Sequence, residues 1–127
     1  MKLFAQLLSL AMAALMSHTL GATEPEPKPQ PQLQCDIGPI NKTYGKSEWL
    51  VYSCSDGLGV VLVSAPGSPA FPFIFSFMAK DSKYQLNGQG TGRKESTAAA
   101  YNELKELREP ELKALIEQTK NVPKKKP

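Results

Sequence analysis

The sequence predicts an α+β domain: a four-stranded antiparallel β-meander followed by two C-terminal helices. Three observations carry this reading. The middle of the chain holds short runs rich in aromatic and β-branched residues, the composition of strands. Asp56-Gly57 stands between two of those runs as a hairpin signal. The last third then switches to helical spacing of its apolar residues. Strands first and helices afterwards argue for an antiparallel sheet rather than alternating parallel units.

The four strands are residues 49–54 (WLVYSC), 58–64 (LGVVLVS), 71–79 (FPFIFSFMA) and 84–87 (YQLN). A tight turn at Asp56-Gly57 sets a register in which Ser53 faces Val60, Val51 faces Leu62 and Trp49 faces Ser64. Pro72 is compatible with a strand end or an edge. Residues 36–40 are extended but interrupted by Gly38-Pro39, and stand outside the four. Residues 41–47 read as a polar loop, 65–70 as a second loop and 80–83 as a turn. Residues 88–92 read as a flexible connection into the first helix. That helix covers 94–108, with Ala100, Leu104 and Leu107 on its buried face and Tyr101 beside them. Glu109-Pro110 restarts the chain into a second helix that ends near 120 and buries Leu112, Leu115, Ile116 and Thr119.

The domain is preceded by two segments of different character. Lys2 followed by about 14 almost continuously apolar residues fits a secretory signal, whereas a membrane span needs about 17–25. Small residues at Thr19, Gly21 and Ala22 set cleavage after Ala22, which makes 1–22 the signal peptide and leaves no stable membrane anchor. The chain is therefore expected in the periplasm or secreted. Residues 23–34 (TEPEPKPQPQLQ) favour polyproline II and cannot build a core, so they form a disordered lead. One domain follows at 35–120, and 121–127 is a basic tail.

Two cysteines, Cys35 and Cys54, remain after cleavage. In an oxidising compartment they are expected to form a disulfide, worth on the order of 3 kcal/mol for a loop of this length. A zinc site lacks ligands, because the one histidine, His18, leaves with the signal. The same loss excludes a Ser-His-Asp triad and a Cys-His dyad. No metal or other cofactor is expected.

The formal charge of +3 belongs to the ends of the chain. Of fifteen basic residues, Lys2, Lys28, Lys124, Lys125 and Lys126 lie outside 35–120; of twelve acidic ones, Glu24 and Glu26 do. Ten of each sign remain, and a neutral domain has little attraction for nucleic acid.

The segments Cys35-Asp36-Ile37-Gly38-Pro39, Trp49-Leu50-Val51-Tyr52 with Cys54 and Asp56-Gly57, and Gly88-x-Gly90-Thr91-Gly92 before a helix resemble small uncharacterised exported proteins of proteobacteria. The resemblance spans most of the chain after the signal. It implies export and a single domain, and it implies no chemistry.

Three functional readings follow. The first is an exported, non-enzymatic protein-binding domain, an inhibitor or an accessory subunit, whose partner is another exported protein or a second copy. Its basis is that the strands are apolar on both faces. Phe71, Phe73, Phe75 and Phe77 alternate with Ile74 and Met78, and Val61 and Val63 oppose Leu58, Val60 and Leu62. Two short helices cover one face, and the candidate interface is Trp49, Tyr52, Phe71, Phe73, Phe75 and Phe77. The second reading is a small-ligand or anion-binding module. Gly88, Gly90 and Gly92 with Arg93 and Lys94 resemble a phosphate cradle, although they match neither the P-loop nor the dinucleotide pattern. The third is a carboxylate-based enzyme using Asp36, Glu48, Asp56 or Asp81, residues that turns also favour.

Overall fold

Five strands lie side by side in chain order, each antiparallel to its sequence neighbour. They are β1 (Ile37–Tyr44), β2 (Ser47–Ser53), β3 (Val60–Ser64), β4 (Phe73–Lys80) and β5 (Lys83–Gly90), followed by α1 (Lys94–Leu104) and α2 (Glu109–Lys120). These elements come from a computed structural model that describes residues 32–123. The predicted signal peptide, residues 23–31 of the lead and residues 124–127 of the tail lie outside the described residues. Among the described residues no helix is long and apolar enough to cross a membrane.

The α+β class and the strands-then-helices order hold, but the sheet has five strands rather than four. The added strand, β1, absorbs most of the expected polar loop. Asn41 and Thr43 are exposed while Ile40 and Tyr44 pack against the core, so polar residues occupy the solvent positions of an edge strand. Gly38-Pro39 is accommodated by a register shift between Ile37 and Ile40, where an edge tolerates it. The β1–β2 hairpin closes through Gly45 and Lys46, both at positive φ (61° and 63°), the backbone of a primed two-residue turn.

The β2–β3 register is the expected one, with Ser53 facing Val60, Val51 facing Leu62 and Trp49 facing Ser64. Asp56 orders the connecting loop by accepting hydrogen bonds from the Leu58 and Gly59 amides, both at 2.9 Å. β4 begins two residues later than expected, leaving Phe71 and Pro72 in the preceding loop. β5 is longer than expected, because Gly88 and Gly90 continue the pairing with β4 instead of releasing the chain. α1 stops at Leu104 rather than Arg108, since 105–108 turn toward α2. There the Glu111 carboxylate reaches back to accept from the Arg108 amide, and Pro110 sits in the first helical turn.

Both helices pack on one face of the sheet. Ala100, Leu104, Leu112, Leu115 and Ile116 meet Trp49, Val51, Val60, Leu62, Phe75 and Phe77 in one core. Trp49 is its centre, with ring centroids 5.2 Å from Phe75 and 6.5 Å from Phe73. Its indole N–H donates to the Tyr44 carbonyl at 3.2 Å, so a fully buried polar group is satisfied.

Cys35 and Cys54 form the expected disulfide. It joins a residue two before the start of β1 to the residue following β2, closing the open ends of the β1–β2 hairpin. Their Cα atoms are 3.7 Å apart, closer than the common range of about 4.4–6.8 Å. The adjoining backbones are drawn together: the Ser55 amide donates to the Gln34 carbonyl at 2.7 Å. A disulfide points to an oxidising compartment outside the cytoplasm.

Candidate functional site

The face of the sheet opposite the helices is the candidate site. Strand alternation puts Leu50 and Tyr52 of β2, Val61 and Val63 of β3, and Ile74 and Met78 of β4 on that face. They form cross-strand rows. Leu50 stands opposite Val63 and Val63 opposite Ile74; Tyr52 stands opposite Val61. Ile74 is 47% exposed and the other five are half-buried. Toward the sheet edges the rows turn polar. Asn41 flanks Leu50 on β1, and Gln89, Asn87 and Gln85 flank Ile74, Ser76 and Met78 on β5. Glu48 of β2 and the facing Lys80 and Lys83 of β4 and β5 put exposed charges at the corners of the same face. An apolar centre within a polar rim is the anatomy of a protein interface. A shallow groove of about 420 Å³ indents this face at its β4–β5 end, between Ile74, Asn87 and Gln89.

The structure redistributes the predicted interface residues. Trp49, Phe75 and Phe77 are buried under the helices, and Phe73 is half-buried against the same core. They are core residues, because the large alternating side chains of β4 are what the two short helices need to pack upon. Phe71 is half exposed, but it sits in the loop before β4 and joins no strand row. Tyr52 alone of the six lies on the open face. Leu50, Val61, Val63, Ile74 and Met78 complete the surface, and the sequence signal for them was the apolarity of both strand faces.

The predicted anion turn does not assemble. Gly88 and Gly90 pair with Phe75 and Phe73 inside the sheet. The Thr91 and Gly92 amides both donate to the Pro72 carbonyl at 3.0 Å, and the Arg93 amide donates to Pro69 at 3.1 Å. These N–H groups are spent on the β4 side of the molecule and cannot cradle an anion. Arg93 and Lys94 are exposed. The glycines serve close approach instead: a Cβ at Gly88 would stand 2.8 Å from ring atoms of both Phe73 and Phe75.

Comparison with protein-family models, curated proteins and solved structures finds no match.

The carboxylates do not converge. Asp36 precedes β1, Glu48 lies within β2, Asp56 is engaged by its own loop and Asp81 sits in the β4–β5 turn. Among the described residues no group of three or more His, Cys, Asp or Glu could hold a metal ion. Two tyrosines have raised pKa values. Burial raises Tyr44, helped by the nearby Glu103 carboxylate; burial raises Tyr84, helped by Glu109 and Asp56 against the opposing charge of Lys113. Both shifts keep the phenols protonated, and the Tyr84 hydroxyl donates to the Leu58 carbonyl at 2.7 Å. A phenol held in this way fastens a strand and supplies no general base.

Proposed function

We propose that the chain is an exported, non-enzymatic protein-binding domain, an inhibitor or accessory subunit working in the periplasm or outside the cell. The observation that supports this most is the helix-free apolar face built by Leu50, Tyr52, Val61, Val63, Ile74 and Met78. An apolar patch within a polar rim is the kind of surface a monomer covers with a partner. The signal-like N-terminus and the disulfide support a role outside the cytoplasm. The resemblance to small exported proteins of proteobacteria agrees with that compartment and names no activity.

The test is capture from extracytoplasmic fluid of the source cells, with the full chain as bait. Val63→Asp and Ile74→Asp each place a charge in the open face. Each should weaken capture of the partner by about 2 kcal/mol or more, with the thermal midpoint little changed for the exposed Ile74. Capture that survives both substitutions unaltered would remove the open face from the reading.

A further inference from the structure

We infer that β5 is a self-pairing edge: two copies of this chain join β5 to β5 antiparallel about a two-fold axis at Asn87, forming one continuous sheet. This concerns the rim of the sheet and does not rest on the proposed use of its open face.

The two edges of the sheet are built differently. β1 carries Pro39, a register shift and Lys42, and both helices pack against it, all of which discourage pairing with another chain. β5 has no proline and no register shift, and its one charge, Lys83, stands at its first residue. Its eight residues pair with β4 without interruption, from Phe73 opposite Gly90 to Lys80 opposite Lys83. From Tyr84 to Gly90 it has no charge and no proline. Among the described residues no backbone group pairs with its outer side.

The backbone identifies what that outer side presents. The Thr91 amide donates to Pro72 at 3.0 Å, continuing the β4–β5 register by one pair. Alternate residues of a strand direct both backbone groups to the same neighbour. Gln89, Asn87 and Gln85 therefore direct theirs to β4, and Tyr84, Leu86, Gly88 and Gly90 direct theirs outward. Strand alternation also puts these four side-chain positions on the helix face, where Tyr84 and Leu86 pack against the core.

Only one two-fold register pairs all four outward residues on both copies. It sets Tyr84 against Gly90 of the second copy and Leu86 against Gly88 of the second copy, with the reciprocal pairs. Each pair exchanges two hydrogen bonds. The same register puts each large side chain opposite a glycine. Leu86 of one copy is thereby brought toward the Phe73 and Phe75 rings that overlie Gly88 of the other, and Tyr84, held inward by its bond to Leu58, stands opposite a residue with no side chain. On the open face it matches amide with amide: Gln85 with Gln89, and Asn87 with Asn87. Lys83 meets the uncharged Thr91. A shift by two residues in either direction leaves outward groups unpaired and breaks the match of large with small. The strand is thus complementary to itself in hydrogen bonding, volume and charge, which specifies a second copy as the occupant.

The experiment reads oligomeric state and register together, on the full chain purified without reductant. Sedimentation velocity across a concentration series should show a monomer–dimer equilibrium, and Asn87→Asp, which sets two carboxylates face to face, should raise the dimer Kd roughly fivefold. Single cysteines then report the register. Asn87 pairs with itself as a non-hydrogen-bonded pair, with Cα atoms about 4.5 Å apart, within disulfide reach. Asn87→Cys should cross-link to itself under mild oxidation. Gln85→Cys and Gln89→Cys should cross-link when mixed and not alone, because each is about 14 Å from its own copy. A monomer at every concentration, or Gln85→Cys linking to itself as readily as Asn87→Cys, would overturn the inference.

Discussion

Ser53 donates its hydroxyl proton to Thr119 across the interior of the domain, joining the end of β2 to the last turn of α2. The oxygens are 2.6 Å apart, and both residues are buried. The direction of the bond follows from the second contact. Thr119 has one hydroxyl proton, which it gives to the Ile116 carbonyl at 2.6 Å, so Ser53 must be the donor.

Thr119→Val keeps the shape of the side chain and removes the acceptor, leaving the Ser53 hydroxyl buried without a partner. It should cost about 1–3 kcal/mol of unfolding free energy, measured by urea titration. Adding Ser53→Ala should recover part of the loss, because neither partner then remains unpaired. A double variant as unstable as the sum of the two single ones would show that the pair is not coupled.

The disulfide should be complete in the exported chain. Intact-mass measurement should give a chain beginning at Thr23, two hydrogen atoms lighter than its reduced form, with no thiol open to alkylation. Replacing Cys35 and Cys54 together by serine should lower stability by on the order of 3 kcal/mol, since a loop of this size is released in the unfolded chain. Two alkylatable thiols in the non-reduced chain would contradict the bond.

Two glycines of equal backbone sign should respond unequally to alanine. Gly57 has φ +73° and open space around a would-be Cβ, so Gly57→Ala should cost only about 1–2 kcal/mol. Gly45 has φ +61° and its Cβ would run into the α1 backbone at Ala99 and Ala100. Its amide also donates to Glu103 at 2.6 Å, so the hairpin turn is seated on the helix. Gly45→Ala should therefore lose clearly more than Gly57→Ala in parallel thermal melts; equal losses would mean that the turn can lift off α1 freely.

Alkaline pH should loosen the fold through Tyr44. Its pKa is raised in the folded state above the ordinary 10.0, so folding favours the protonated phenol. That stability is intact below about pH 10 and is lost as the pH climbs from there through the folded-state value. Tyr44→Phe should flatten the decline in stability above pH 10, read as the midpoint of urea unfolding against pH. An unchanged alkaline slope would assign the decline to other groups, Tyr84 among them.

The sequence made the β2–β3 hairpin and both helices legible because their apolar periodicities are clean. Asp56-Gly57 sufficed to set the register of Trp49, Val51 and Ser53 against β3. It hid β1, whose outward positions carry Asn41 and Thr43 and whose turn uses Gly45-Lys46 rather than a common hairpin dipeptide. It also left open which face of β4 the helices would take. Phe73, Phe75 and Phe77 share one side, Ile74 and Met78 the other, and either set is apolar enough for a core. The choice rests on the crossing of Trp49 with Phe75, a tertiary contact that periodicity does not encode. Gly88 and Gly90 misled for a related reason: they suit a loop by composition, yet rings from β4 occupy the space that side chains would have filled.

The strand order β1-β2-β3-β4-β5 has a kinetic consequence. Every strand finds its partner in the stretch of chain just made, so contact order within the sheet is low and each pairing closes only a short loop. A chain delivered N-terminus first can extend the sheet one hairpin at a time without waiting for distant sequence. The helices arrive last, and α2 brings Thr119 back beyond β2 to Gly38 of β1, the strand made first.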